Sequence, residues 1–229
     1  RKGNVGQINF SGGSTTTIIA KSLKLGANTD AGSDGHVTVS DAGTTVSIGN
    51  ELLVGNKNLG TYVQNNGTVT AGALNIAEDD GDPGETAGSS VTLHDGFLTI
   101  AGRSDVGIGA AGSLTVNGGA FSTGELRIGK SGAGTVLLNG GTTAADDIDI
   151  RAGSLTLMSA ATLTSYTNMN FKADGMLIWE GDHNADVATL VGDGTYTWGD
   201  GVVDIDTLTE GVDYDQAFDT ADGWLLSKE

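Results

Sequence analysis

Hydrophobic and polar residues alternate along this chain in short runs that recur at intervals of 19 to 29 residues. The clearest run is Gly-Ser-Leu-Thr-Val-Asn-Gly-Gly at 112–119, and Gly-Thr-Val-Leu-Leu-Asn-Gly-Gly repeats it at 134–141. Equivalent starts occur at Gly6, Gly35, Gly60, Ser89, Gly153 and Gly175. A period of two predicts strands with one buried side, and the recurrence predicts a repeat architecture.

Each unit contains a first and a second pair of mostly apolar residues, separated by 12, 14 or 15 positions. The first pairs are Ile8/Phe10, Val37/Val39, Tyr62/Gln64, Val91/Leu93, Leu114/Val116, Val136/Leu138, Leu155/Leu157 and Leu177/Trp179. The second pairs are Leu23/Leu25, Leu52/Val54, Leu74/Ile76, Val106/Ile108, Leu126/Ile128, Ile148/Ile150 and Met169/Phe171. A further short strand lies between them, so each unit predicts three strands joined by Gly, Asn and Asp corners.

This pattern predicts an all-β fold, a parallel β-solenoid of about seven to eight three-strand coils. Because crossovers between parallel strands are nearly always right-handed, we expect a right-handed solenoid. Residues 1–179 form the predicted solenoid repeat domain, and residues 180–229 form an acidic, aromatic-rich C-terminal cap or assembly segment. Within that segment we expect a short helix over 183–190 and strands over 195–198 and 223–226.

The composition narrows the classes of partner. The chain has 29 acidic and 11 basic residues, for a net charge of −18. This charge predicts that the protein does not bind nucleic acid, which requires clustered Lys and Arg. No apolar run is long enough to span a bilayer, so no membrane insertion is expected. With no cysteine, the chain has neither a disulfide framework nor a thiolate metal site.

The repeats resemble those of exported bacterial proteins. The run at 112–119, followed by Gly-Glu-Leu-Arg-Ile-Gly-Lys-Ser-Gly-Ala-Gly at 124–134, is similar to autotransporter passenger repeats. Together with Leu-Ile-Trp-Glu-Gly-Asp at 177–182, it resembles still more closely the β-solenoid surface proteins of Gram-negative bacteria that carry a PEP-CTERM-type sorting signal. The resemblance implies an extracellular or cell-surface protein, although the sorting signal itself is missing from the chain. The start Arg-Lys-Gly, without an apolar leader, indicates a product from which a signal peptide has been removed.

Two acidic groups are candidate Ca²⁺ sites, because Ca²⁺ takes six to eight oxygen ligands. The first is a loop with Glu78, Asp79, Asp80, Asp82 and Glu85, and the second comprises Asp193, Asp200, Asp204 and Asp206. The first loop does not match the spacing of an EF-hand loop, and the alternative for it is a solvated acidic loop. No other cofactor is predicted.

The sequence predicts no catalytic residues. His36, His94 and His183 share no spacing, and no nucleophile lies near a base in the pattern. A carbohydrate-binding or carbohydrate-cleaving solenoid is the alternative function, and a phage fibre module is a further one. An ice-binding face is the last alternative, from the outward residues of the middle strand. These are Thr15/Thr17, Thr45/Ser47, Thr68/Thr70, Phe97/Thr99, Ala120/Ser122, Thr142/Ala144 and Thr162/Thr164.

The leading hypothesis is a non-enzymatic extracellular structural or interaction protein of a filament, sheath or biofilm matrix. Ile8 and Phe10 occupy inward positions of the first coil, and too few residues precede them to cover its backbone edge. An uncovered solenoid edge recruits another chain. We therefore expect a head-to-tail homopolymer in which the C-terminal segment with Trp224, Leu225 and Leu226 meets the first coil of the next copy. Surface polysaccharide is a second candidate partner.

Overall fold

All of the elements in the described part of the chain are β-strands. The computed structural model describes residues 5–11, 16–27, 33–78, 88–158, 160–180, 189–191, 195–197, 202–203, 216–220 and 223–227. Its strands are β1 (Gly6–Phe10), β2 (Thr16–Ala20), β3 (Leu23–Leu25), β4 (Gly35–Val39), β5 (Thr44–Val54), β6 (Gly60–Gln64), β7 (Thr68–Ile76), β8 (Ser89–Leu93), β9 (Phe97–Val106), β10 (Gly112–Val116), β11 (Ala120–Ile128), β12 (Gly134–Leu138), β13 (Gly141–Met158), β14 (Ala161–Glu180), β15 (Thr189–Val191), β16 (Thr195–Thr197), β17 (Val202–Val203), β18 (Gln216–Thr220) and β19 (Gly223–Ser227). Among these residues there is no helix with the length and apolarity to cross a membrane.

Strands β1 to β17 wind into a parallel β-solenoid, which confirms the predicted fold. Each strand pairs in parallel with the equivalent strand one coil away. The predicted unit starts fall in one register: Gly6 pairs with Gly35, and Gly112 pairs with both Ser89 and Gly134. The same column continues to Gly153 and Gly175. Repetition of the sequence therefore becomes repetition of the backbone, one coil at a time.

The core consists of vertical columns of inward side chains. Val37, Tyr62, Val91, Leu114, Val136 and Leu155 form the first-strand column, and all are buried. On the third strand Leu52, Leu74, Leu126 and Ile148 are likewise buried. Burial of each such side chain contributes about 1.5–3 kcal/mol. No single coil can enclose its own apolar side, so stability comes from the stack.

Two of the predicted pairs are wrong by two residues. In the fourth coil, Ser104 and Val106 occupy the third-strand columns, instead of Val106 and Ile108. Ser104 is tolerated inside because its hydroxyl donates to Thr123 Oγ1 at 2.9 Å. In the first coil, Thr17 and Ile19 pair with Thr45 and Ser47, so the outward pair is not Thr15/Thr17.

The corners between the middle and third strands are bends rather than loops. Strands β5, β7, β9 and β11 each run through such a corner, where the register shifts or a glycine lies. Strand β13 also continues into the first strand of the next coil, over Gly141–Met158. Directly after the third strand, a glycine with positive φ begins the turn in several coils, as in Gly55, Gly107 and Gly129. A Cβ at Gly129 would lie 1.8 Å from the carbonyl oxygen of Ala152, which explains the glycine there.

Parallel pairing continues beyond residue 180. Strands β15, β16 and β17 all pair with β14. The expected helix over 183–190 is wrong for its last two residues, because Thr189 and Leu190 lie in β15; 183–188 is outside the described residues. Strands β16 and β19 confirm the predicted strands there, and β19 forms an antiparallel hairpin with β18. The division at residue 180 stays a prediction.

Candidate functional site

The two predicted Ca²⁺ groups fall almost entirely outside the described residues. Of the first group only Glu78 is described. Its negative charge adds to the larger effect of Glu51 in raising the pKa of Lys24. The other members of both groups lie outside: Asp79, Asp80, Asp82, Glu85, Asp193, Asp200, Asp204 and Asp206. Within the described residues, no cluster of three or more His, Asp or Glu side chains could hold a metal ion.

The predicted assembly residues Ile8 and Phe10 lie on the first coil, which is open on one side in the described structure. Among the described residues, β1 pairs only with β4, and β2 and β3 pair only with β5. Ile8 heads the column that contains Val37, yet it is 45 % exposed where Val37 is 1 % exposed. Phe10 is half-buried and packs against the core. A cavity of about 420 Å³ opens between β1 and β3, lined by Ile8, Leu23 and Leu25.

The opposite end of the solenoid carries the other predicted assembly residues. Trp224, Leu225 and Leu226 lie in β19, where their backbones pair with Asp219, Phe218 and Ala217 of β18. The hairpin lies beside β17. In the described residues, β15 and β16 pair with β14 alone. The structure therefore presents single-partnered strands at both ends of the stack.

The outward side of the middle strands forms a flat ladder of mostly hydroxyl-bearing residues. We call this surface the ladder face: Thr17, Ile19, Thr45, Ser47, Thr68, Thr70, Phe97, Thr99, Ala120, Ser122, Thr142, Ala144, Thr162 and Thr164. Hydroxyl groups in adjacent coils contact one another: Thr70 Oγ1 lies 3.4 Å from Ser47 Oγ, and Ser122 Oγ lies 3.2 Å from Thr99 Oγ1. Phe97 interrupts the ladder and is 59 % exposed.

A row of polar planar side chains lies at the corner between the first and middle strands. We call His94, Asn117 and Asn139 the amide corner. Asn139 Nδ2 donates to Asn117 Oδ1 at 3.1 Å, and Asn117 Nδ2 lies 3.2 Å from His94 Nδ1. This row was not predicted, because His94 shares no spacing with the other histidines in the sequence. The available signal was the Asn-Gly that directly follows the first strand in two successive units, at 117–118 and 139–140.

The outward side of the third strands is highly charged. Arg127 donates to Asp105 through Nε at 2.6 Å and Nη2 at 2.8 Å, and both side chains are buried. Arg103 bridges Asp105 and Glu125, at 2.9 and 3.6 Å. Such paired geometry is what allows charges to be buried on a sheet surface.

Asp149 continues this charged column one coil further. Its Oδ2 accepts from Arg151 Nε at 2.6 Å. Its Oδ1 is buried and has no hydrogen-bond partner among the described residues. At the first coils, the Glu51 carboxylate lies 2.7 Å from Lys24 Nζ and raises the pKa of that ammonium group. The charges of the strand surfaces thus concentrate on the third-strand side.

Among the described residues, His36 lies apart from the amide corner. His36 Nε2 lies 3.1 Å from Thr38 Oγ1 on the first-strand surface, and His183 is outside the described residues. No protein-family model, curated protein or solved structure matches the chain. The open first coil, the ladder face and the amide corner are therefore interpreted from their own geometry.

Proposed function

We propose that this protein is a non-enzymatic structural solenoid that assembles head to tail with further copies of itself. The observation that carries the proposal is the open inward column at Ile8. Val37 packs beside Ile8 on one side of this column. On the other side of Ile8, the column has room for an apolar side chain from a further parallel strand. A coil of a second copy offers that chemistry.

The two ends of the stack both present parallel strands, so the strands of one end could pair with those of the other. One end presents β1, β2 and β3. The other presents β15 and β16, which pair only with β14 among the described residues, together with the β18–β19 hairpin beside β17. Edge strands with unpaired N–H and C=O groups recruit further strands. Contact between two different ends is heterologous and does not close on itself, so it builds a filament.

A surface or matrix setting outside the cell suits such an assembly. The resemblance of the repeats to exported bacterial solenoids supports it. The net charge of −18 would keep filaments apart by repulsion until salt or divalent cations screen it. We accordingly place the protein at the cell surface or in an extracellular matrix, with a second copy as its main partner and Ca²⁺ as a candidate ion.

Sedimentation velocity over a concentration series tests the proposal. The full chain should give a series of oligomers whose mean size increases with protein concentration. Electron microscopy should show filaments. Ile8→Asp places a carboxylate in the open column and should return the protein to a monomer. Ile19→Asp is the matched control, because Ile19 lies on the same coil, is 82 % exposed and points away from the column.

Thermal melting of each variant verifies that the coil remains folded. A full chain that stays monomeric at high concentration, both in chelator and in millimolar Ca²⁺, contradicts the proposal. Equal loss of assembly in Ile8→Asp and Ile19→Asp would show that the open column is not the contact.

A further inference from the structure

A surface with few charges runs along one side of this acidic molecule, and its acidic residues Asp41 and Asp95 lie at corner turns. Every position of the ladder face is uncharged, although the chain has a net charge of −18. The outward residues of the first strands are also uncharged in β4, β6, β8, β10 and β12. The amide corner connects these two surfaces. A partner for this side is therefore expected to be neutral, since neither a polyanion nor a polycation would find complementary charge there.

Phe97 provides an aromatic platform in the middle of this surface. Its ring is 59 % exposed, and its column neighbours Thr68 and Ala120 are small, so the ring stands clear of the sheet. Burial of Phe97 by a ligand would remove a large apolar area from water. An exposed phenyl ring beside hydroxyl groups is suited to stacking against the apolar face of a sugar ring.

The amide corner supplies the directional hydrogen bonds that a sugar requires. His94 and Asn139 are exposed, and the turn Asp95–Gly96 joins His94 directly to Phe97. Each side-chain amide carries both donors and an acceptor, which matches the mixed donor and acceptor character of sugar hydroxyl groups. Asp95, at this turn, is already engaged, because Oδ1 accepts from Gly96 N at 2.7 Å and Oδ2 lies 3.4 Å from Asn66 Nδ2.

We propose that Phe97, the amide corner and the adjoining hydroxyl columns form a binding surface for a neutral polysaccharide. The glycan would stack on Phe97 and receive hydrogen bonds from Asn117 and Asn139. Repetition of the ladder across successive coils would allow one extended glycan chain to contact several coils. This inference goes beyond the proposed self-assembly, because it concerns a lateral surface and not an end of the solenoid.

The other occupants of a flat hydroxyl ladder fit this surface less well. An ice lattice needs a regular array of small groups, and Phe97, Ala120 and Ala144 break the regularity. Lateral packing of a second copy would set one acidic molecule against another. A neutral sugar polymer, in contrast, can stack on the aromatic ring that disturbs an ice lattice, and it has no negative charge of its own.

Affinity electrophoresis in native gels tests the proposal. The probes are hydroxyethylcellulose, mixed-linkage β-glucan and galactomannan as neutral polysaccharides, with alginate as the polyanion. At least one neutral polysaccharide should retard the full chain relative to a gel without polymer, and alginate should not. Phe97→Ala should weaken the interaction about tenfold, the size of one aromatic contact. Asn117→Ala should weaken it several-fold.

Met176→Ala is the matched control. Met176 is 40 % exposed and lies on a first strand far along the stack from Phe97, so its removal should leave retardation unchanged. Unchanged melting midpoints ensure that each variant is folded. The proposal is overturned if no neutral polysaccharide retards the full chain, or if Phe97→Ala binds as the full chain does. Inhibition of ice recrystallisation without glycan binding would assign the surface to ice instead.

Discussion

A buried polar pair inside the third coil should control the stability of the stack. Gln64 lies in an inward column between Val39 and Leu93 and is fully buried. The Tyr62 hydroxyl donates to Gln64 Oε1 at 3.1 Å, and Gln64 Nε2 donates to the carbonyl oxygens of Gly67 and Phe97, both at 3.0 Å. Burial raises the pKa of Tyr62, so its hydroxyl remains a donor at neutral pH.

The Tyr62→Phe change removes one donor and no packing volume from the column. It leaves Gln64 Oε1 without that donor in a site closed to water, which should lower the free energy of unfolding by about 1–3 kcal/mol. Gln64→Leu should also be destabilising, because it deprives the Tyr62 hydroxyl of its acceptor. The double variant restores an apolar column, and Gly67 O keeps the Phe97 N–H at 2.8 Å. The double variant should therefore lose less free energy of unfolding than the sum of the losses in the two single variants. The difference, which is the coupling energy, should be about 0.5–3 kcal/mol.

Urea unfolding followed by far-ultraviolet circular dichroism measures all four free energies. The double-mutant cycle is valid only if all four proteins have the same dependence of unfolding free energy on urea concentration. A changed slope would indicate a changed unfolded or native state. If the two single losses add within about 0.3 kcal/mol, the pair is not coupled and the argument from the hydrogen bond fails. A Tyr62→Phe variant as stable as the parent would refute it directly.

Two further predictions concern the columns on either side of the sheet. Ile128→Asp buries an unpaired carboxylate in the core and should cost several kcal/mol, whereas a melting midpoint within a degree or two of the parent would contradict the register. Asp105→Asn weakens the bidentate partner of buried Arg127 and should cost about 3–5 kcal/mol. Asp149→Asn, two coils further along the same column, should cost less than about 1 kcal/mol because its partner Arg151 is only partly buried. Thermal melts that shift equally in both variants would contradict this difference.

The repeat and its register were predictable because they rest on a local pattern. Gly112 and Gly134 begin nearly identical runs, and the structure pairs them directly. In the fourth coil the predicted third-strand pair is wrong, because polar Ser104 occupies an inward position there. Ser104 is buried there by its hydrogen bond to Thr123, a contact 19 residues away that the local pattern does not contain. Because Ile108 is apolar and lies two residues after Val106, the pattern predicted the pair Val106/Ile108 in place of Ser104/Val106.

The candidate surfaces were harder to predict than the fold, because they depend on which residues become neighbours across coils. His94, Asn117 and Asn139 are more than 20 residues apart in sequence, and only the stacking brings Asn117 within 3.2 Å of His94 and of Asn139. Phe97 stands in the sequence at a middle-strand position where Thr45, Thr68 and Thr142 stand in other coils. Its exposure follows from the small size of Thr68 and Ala120, which lie in the coils on either side of it.

The two proposed interactions would reinforce each other if both are present. Head-to-tail stacking adds copies along the solenoid axis, and the ladder face runs along that same axis. A filament would therefore present many copies of the Phe97 surface in a row to one polysaccharide chain. Linked sites bind with an avidity about 10²–10⁴ times that of one site when the geometry allows simultaneous contact. Consequently Ile8→Asp, which leaves Phe97 and the amide corner intact, should still bind glycan as a monomer but release it much faster than the filament does.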